Sequence, residues 1–253
     1  MRFYADLIFK ESPPYRVPTN YKKNMTSLFK EAIKCNDDNS FFDKYLADNK
    51  KNTHGPFTYS ITIPPHEEIT SNGKNLLEFN DSSIRFYVSS SDGPFITNLY
   101  NGLQKINGKF SPFKYTSEFE NFSIQNECSI NKDSVLFKIL SPLVLHNPEN
   151  NGTKKKCSVY LTCKDHKFKE TLAASILNLC KKFLNTNQLI RTSKIIIDSS
   201  KCSVSNAYYN SESIPATTGY IHINAPSGVL KLLYECGMGE RRNSGFGMVE
   251  IVG

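Results

Sequence analysis

Two runs set the architecture: Arg2-Phe3-Tyr4-Ala5-Asp6-Leu7-Ile8-Phe9 and Val135-Leu136-Phe137-Lys138-Ile139-Leu140. Both are short and rich in residues that favour strands, and a proline breaker follows each, Pro13-Pro14 in one case and Ser141-Pro142 in the other. The same order of elements unrolls from both. After the first, Met25, Leu28, Phe29, Ala32 and Ile33 recur at i, i+3, i+4, i+7 and i+8, one face of an amphipathic helix. A shorter helical stretch is expected over 41–46. Strands are predicted at 57–63, which Pro64-Pro65 ends, and at 84–89. Pro94 suits the first residue of a helix carrying Phe95, Leu99 and Leu103, and 113–124 closes the pass.

The second pass continues through Leu143-Val144-Leu145 to the clearest helix of the chain, 166–184, with Phe168, Leu172, Ile176, Leu179 and Phe183 as its apolar stripe. Lys164, Lys167, Lys169, Lys181 and Lys182 flank that stripe. Strands are predicted at 194–204 and 217–225, a helix capped by Ser227 through Tyr234, and a last strand at 246–252. Strand, helix, strand, strand, helix, strand is the split βαβ pattern: a four-stranded antiparallel sheet with two helices on one face. The polar seam near 125–133 divides the 253 residues into domains 1–127 and 128–253, each of ordinary domain size. The fold class is α+β, and two sheets facing one another leave a central cleft for an extended polymer.

Composition narrows the partners. With 39% hydrophobic and 22% charged residues the chain builds a core, which excludes disorder, collagen and coiled coil. No apolar run approaches the ~18 residues of a membrane helix. Met1-Arg2-Phe3-Tyr4-Ala5-Asp6 turns acidic too early for a signal peptide, so a cytoplasmic protein is expected. The net charge of +7 favours an anionic partner, nucleic acid ahead of membrane. Seven cysteines form no CxxC pair, and Cys163 with His166 lacks a second ligand pair. No metal site and no cofactor are therefore expected.

Five of the 13 glycines fall in the last 17 residues, most of them in Gly237-Met238-Gly239-Glu240-Arg241-Arg242-Asn243-Ser244-Gly245-Phe246-Gly247-Met248-Val249. One helix cap explains Gly237. The others suggest a loop whose backbone approaches something closely, with Arg241 and Arg242 at its tip. No Gly-Lys-Ser/Thr occurs, and a helix precedes the loop where a dinucleotide fingerprint would have a strand. Backbone N–H groups beside a guanidinium pair suit phosphates and base edges of single-stranded RNA; a tight loop with two solvated arginines is the plainer alternative. Lys154-Lys155-Lys156 is the strongest charge run, either a solvated hairpin tip or a loop that contacts phosphates.

The stretch Tyr234-Glu235-Cys236-Gly237-Met238-Gly239-Glu240, then Asn243-Ser244 and Gly245-Phe246-Gly247-Met248-Val249, resembles the C-terminal signature of the CRISPR-associated endoribonucleases that cut precursor crRNA within its repeats, in the glycine-rich-loop RAMP superfamily. Met1-Arg2-Phe3, Val17-Pro18, Gly55-Pro56-Phe57-Thr58-Tyr59-Ser60 and Leu140-Ser141-Pro142 agree with it. The resemblance implies two tandem ferredoxin-like (βαββαβ) domains and a metal-independent reaction. In that reaction a ribose 2′-hydroxyl attacks the adjacent phosphorus and leaves 2′,3′-cyclic phosphate and 5′-hydroxyl ends. Such chemistry needs a base, an acid and a cation.

Relatives place a catalytic histidine shortly before the Phe-Thr-Tyr-Ser strand. Here the frame reads Lys44-Tyr45-Leu46-Ala47-Asp48, with alanine at the expected position. Three explanations stand side by side: a deliberate His→Ala change that traps uncut RNA, a natural RNA binder that does not cut, or His54 acting instead. Lys30 and Lys51 are the expected polar and phosphate-stabilising positions. Gly237, Gly239, Arg241, Arg242, Asn243, Ser244, Gly245, Gly247 and Lys154, Lys155, Lys156 are the expected RNA contacts. The resemblance gives CRISPR repeat RNA or precursor crRNA as the partner, with effector-complex subunits and a homodimer left open and no membrane. A non-cleaving crRNA-binding subunit is the alternative, and a generic RNA module that stacks bases on Phe86 or Tyr220 is a further one.

Overall fold

The computed structural model describes residues 1–36, 40, 41, 43, 45, 55–126, 128–147, 160–184, 194–209 and 212–252. Ala47, Lys51, His54 and Lys154-Lys155-Lys156 lie outside the described residues.

The first unit is a four-stranded sheet in the order β3-β6-β1-β7, every neighbour antiparallel. Its strands are β1 (Arg2–Phe9), β3 (Phe57–Thr62), β6 (Ser83–Ser90) and β7 (Ser117–Gln125). Helices α1 (Tyr21–Asn36) and α2 (Gly93–Lys105) cover one face. The i, i+3, i+4 stripe of α1 is buried as the periodicity requires, against Phe3, Phe57, Tyr59 and Phe86. α2 starts at Gly93, one residue before the expected Pro94, which takes the second position, and Asp92 caps it by accepting a hydrogen bond from the Phe95 amide at 3.0 Å.

The second unit repeats the scheme in the order β11-β13-β8-β14. Its strands are β8 (Ser134–Leu143), β11 (Ile196–Asp198), β13 (Glu212–Asn224) and β14 (Val249–Ile251), with α3 (Phe168–Phe183) and α4 (Ser227–Cys236). Two tandem ferredoxin-like units result, each with its own hydrophobic core. Phe86 is fully buried in the first core and cannot stack a base, whereas Tyr220 is 39% exposed.

Several elements differ from the sequence reading. A small sheet β2-β5-β4 joins Tyr15–Pro18, Lys74–Phe79 and Glu67–Ser71, where short runs alternate too weakly to register as strands. A two-stranded ladder pairs β9 (Leu145–His146) with β10 (Tyr160–Leu161). The strand expected at 194–204 breaks into β11 and β12 (Cys202–Tyr209), and β12 runs beside an extended β13 as a long hairpin. Ser227 is the first residue of α4 and provides no side-chain cap; Pro226 holds that position.

The units join through the sheet face that the first pair of helices leaves open. Strand alternation puts Arg2, Thr58, Ser60 and Ser89 on that face. Arg2 donates to the Tyr234 and Val249 carbonyls at 2.8 Å each, and Thr58 to the Phe246 carbonyl at 3.0 Å. Ser60 donates to the Leu140 carbonyl at 3.0 Å.

Candidate functional site

The glycine loop lies between the units. After α4, Gly237, Gly239, Gly245 and Gly247 all take positive φ, between 68° and 84°. A Cβ at Gly247 would sit 1.9 Å from the Met238 carbonyl oxygen, and one at Gly245 would sit 2.6 Å from the Tyr59 ring. The surface that this backbone approaches closely is therefore the protein's own. Gly237, Gly245 and Gly247 donate their amides to the carbonyls of Leu233, Arg242 and Pro142. The groups left at the surface are the half-buried Gly239, Glu240, Arg241, Asn243 and Ser244.

The two arginines part company, and they do not form a solvated tip. Arg241 takes a left-handed φ of 54° and lays its guanidinium 4.0 Å over the Tyr209 ring, donating to the Tyr160 hydroxyl at 3.1 Å. Arg242 opens a short 3-10 turn, Arg242–Ser244, and is only 4% exposed.

Facing the loop is the polar side of α1. Tyr59, fully buried on β3, donates to the Lys22 carbonyl at 2.9 Å and shares a 2.8 Å hydrogen bond with the Thr26 hydroxyl. Burial pushes its hydroxyl far above the ordinary tyrosine range, so it stays protonated and acts as a strut. The strut holds α1 at a set distance from the loop, and Lys22 reaches over the Phe246 ring at 5.2 Å. Between them lies a cavity of about 360 Å³ lined by Lys22, Lys23, Lys30, Tyr208, Tyr209 and Ser244, with Asn20, Thr26 and Ser27. Three ammonium groups, two phenols and hydroxyls form a surface suited to phosphate and base, and none of its described lining residues is acidic.

Lys30 and Ser244 thus meet in one cavity, and Arg241 stacks on its wall at Tyr209. Lys22, Lys23, Tyr208 and Tyr209 are additions that the sequence reading passed over. The doublets Lys22-Lys23 and Tyr208-Tyr209 are the only sequence signal for them.

The segment with Ala47, Lys51 and His54 is bracketed by described anchors. Tyr45 donates to Asp92 at 2.6 Å and packs edge-on against Phe95, and a Cβ at Gly55 would lie 3.5 Å from that of Tyr45. The Pro56 carbonyl accepts from the Cys236 thiol at 3.3 Å, so the chain re-enters beside the start of the glycine loop. Among the described histidines, His66 contacts the Pro64 carbonyl at 2.7 Å and His222 the Ser134 hydroxyl at 2.8 Å. Burial pushes the Cys180 and Cys202 thiols up to about 11, which keeps them protonated. No cluster of metal-ligating side chains occurs among the described residues.

A family model described as CRISPR associated protein Cas6, C-terminal, matches residues 123–251, just over half of the chain. The chain belongs to the Cas6 family. Solved structures agree on the fold over the whole length. A Cas6-related protein from Pyrococcus furiosus is 24% identical with a TM-score of 0.79, covering 100% of this chain and 98% of its own. A RAMP protein described as binding different RNA substrates is 21% identical with a TM-score of 0.77, at 100% coverage of both chains. A further structure, described as CRISPR associated protein Cas6, is 22% identical with a TM-score of 0.72, covering 100% and 99%. No curated protein sequence matches the chain. Among the described residues, no helix of this Cas6 chain is long and apolar enough to cross a membrane.

Proposed function

We propose that this Cas6 chain binds CRISPR repeat RNA and cleaves precursor crRNA within the repeat, without a metal, by attack of a ribose 2′-hydroxyl on the neighbouring phosphorus. Family membership supports repeat binding and crRNA processing in general. The observation that carries the site assignment is the cavity where Lys22, Lys23 and Lys30 of α1 meet Ser244 of the glycine loop. In this reading the lysines balance the charge that builds on the phosphorane oxygens, and Tyr208 or Tyr209 stacks a base. Arg241, Asn243 and Ser244 contact the strand, while the glycines shape the loop. The 1–127 unit presents the scissile bond, and the 128–253 unit, including Lys154, Lys155 and Lys156, holds the flanking RNA.

The proton donor and acceptor come from the segment that carries Ala47, Lys51 and His54. The test is incubation with repeat RNA in EDTA, using this chain, Ala47→His and His54→Ala. Cutting at one site with a cyclic phosphate end supports the enzyme. A rise of at least ~100-fold in Ala47→His, the usual scale of general acid–base catalysis, assigns the proton transfer to position 47. Loss of cutting in His54→Ala with no gain at 47 assigns it to His54. Alanine at 47 also supports a second reading, a crRNA-binding subunit that keeps its RNA and does not cut, with effector-complex subunits as further partners. Tight binding without cutting in every version establishes that one. In both readings affinity falls as salt rises, because phosphate contacts release counterions; an affinity indifferent to salt would sink both.

A further inference from the structure

On the other side of the glycine loop, away from α1, lies a second and larger cavity of about 750 Å³. Its floor is one flank of α3, with the exposed Ala174 and Lys182, and the half-buried Lys167 that precedes the helix. Its far wall is formed by His146 of β9 and the loop residues Gly239, Glu240 and Arg242. The volume lies within the range of small-ligand sites.

Arg242 is the anomaly there. Its side chain is 4% exposed, yet its one hydrogen bond among the described residues runs from Nη1 to the Cys236 carbonyl at 3.3 Å, and its Nε has no partner. Two carboxylates, Glu170 and Glu240, also line the cavity. Neither forms an ion pair with Arg242 among the described residues. Burial holds the guanidinium below its ordinary value; the neighbouring Cys236 thiol opposes this, and no carboxylate among the described residues does. Burial also lowers the Lys182 ammonium, and the charge of Arg242 lowers it further. A guanidinium taken out of water without a counter-ion is costly, and proteins rarely keep one without reason. Its planar fork matches the oxygens of a phosphoryl group two at a time.

We propose that the cavity between α3 and the glycine loop is a second anion site, taking a phosphoryl group held by Arg242 with Lys182 and Lys167 around it. It is separate from the α1 cavity, and the glycine loop is the partition between the two. The phosphoryl group comes either from the backbone of a bound RNA or from a free phosphate or nucleotide. The RNA source rests on the repeat-RNA reading; the free source does not.

The test starts with thermal unfolding of the intact chain in sodium phosphate, and separately in AMP, each against sodium chloride at matched ionic strength. A saturable rise in the midpoint is expected. Ala174→Glu places a carboxylate in the cavity from an exposed helix position that tolerates Glu well, so the fold is retained. It should raise the half-saturating concentration about tenfold. Lys182→Gln should raise it by a smaller factor, as expected when a single charge-assisted hydrogen bond to the anion is removed. No saturable response overturns the proposal. So does a response that Ala174→Glu leaves intact while Lys23→Gln, in the α1 cavity, removes it.

Fluorescence anisotropy with repeat RNA then separates the sources. If the RNA backbone fills the site, Ala174→Glu weakens RNA binding and lowers the salt slope by about one unit. If a free nucleotide fills it, AMP saturates the chain while RNA affinity is the same in both versions. Failure of the unaltered chain to bind repeat RNA at all would count against the repeat-RNA reading alone, because the phosphate titration still decides this one.

Discussion

Arg2 and Arg242 are both arginines with almost no exposure, 2% and 4%, and both leave Nε without a partner. What surrounds the rest of the two guanidinium groups differs entirely. Arg2 reaches Glu250 at 2.6 Å and the carbonyls of Tyr234 and Val249 at 2.8 Å each, and it lies 3.9 Å over the Tyr234 ring. Arg242 has one long bond to a carbonyl and no paired acid among the described residues. Burial lowers both, but only at Arg2 does a neighbouring carboxylate work against that effect. The first arginine is satisfied by the fold and ties the units together. The second is poised for something from outside. Burial alone therefore does not separate a structural charge from a functional one; the hydrogen-bond partners do.

The largest effect is expected at Arg2. Arg2→Met keeps most of the volume but takes the donor from two carbonyls of the second unit and from Glu250. Removing one partner of a buried pair costs about 3–5 kcal/mol. Glu250 is 37% exposed and can turn to water, which brings the expectation to about 2–3 kcal/mol, read as a lower urea midpoint. A loss below about 1 kcal/mol would mean that the partners at Arg2 add little and would remove the contrast.

A smaller and pH-dependent effect is expected at Asp6, the buried acid on the same open face. Arg85 grips it with two bonds of 2.6 and 2.8 Å, and Asn121 adds a third at 2.9 Å. The Arg85 hydrogen bonds hold its carboxyl below the usual carboxylate range. A depressed folded value means that the stabilisation is present above the unfolded pKa of about 3.9 and is lost as pH falls through the folded one. Asp6→Asn should cost about 1–2 kcal/mol at pH 7, tempered by the 42% exposure of Arg85. The gap between the two proteins should stay level down to about pH 4 and shrink below it. A gap that persists unchanged at pH 2 would show that the Asn side chain is at fault and not the lost charge.

The legible part of this chain was its repeated framework. The stripes of α1 and α3 and the two central strands follow from periodicities that a buried face imposes on sequence, and Pro94 marks the first turn of α2. The β2-β5-β4 sheet and the β12–β13 hairpin stayed hidden because their buried residues, Tyr15, Val17, Leu77 and Phe79 in one and Ala207, Ile214 and Ala216 in the other, are few per strand and find their partners only in distant segments. Polar, mixed runs such as Glu67–Ser71 have no face to declare. The glycine loop announced itself, but its reason did not. Positive φ is written in glycine, whereas the group that a glycine makes room for, here Tyr59 at Gly245, comes from a distant part of the chain. In the same way Lys22, Lys23, Tyr208 and Tyr209 converge only in three dimensions. Sequence could not divide Arg241 from Arg242, since adjacent residues fall on opposite sides of a turn that begins between them.

The smallest effect is expected at Arg242, and the smallness is the point. Replacing a buried ionic group that lacks its partner with an apolar side chain of similar size removes a desolvation penalty and loses little. Arg242→Met gives up one 3.3 Å bond to the Cys236 carbonyl. In chloride buffer the unfolding free energy from urea titration should therefore change by less than about 1 kcal/mol, in either direction, against the larger loss at Arg2. In phosphate the ordering changes. The unaltered chain gains stability from the bound anion and Arg242→Met does not, so the two proteins separate as phosphate is added. An Arg242→Met chain as unstable in chloride as Arg2→Met would place both arginines in the structural class. A pair of proteins that respond equally to phosphate would show that the buried guanidinium waits for nothing the solvent can supply.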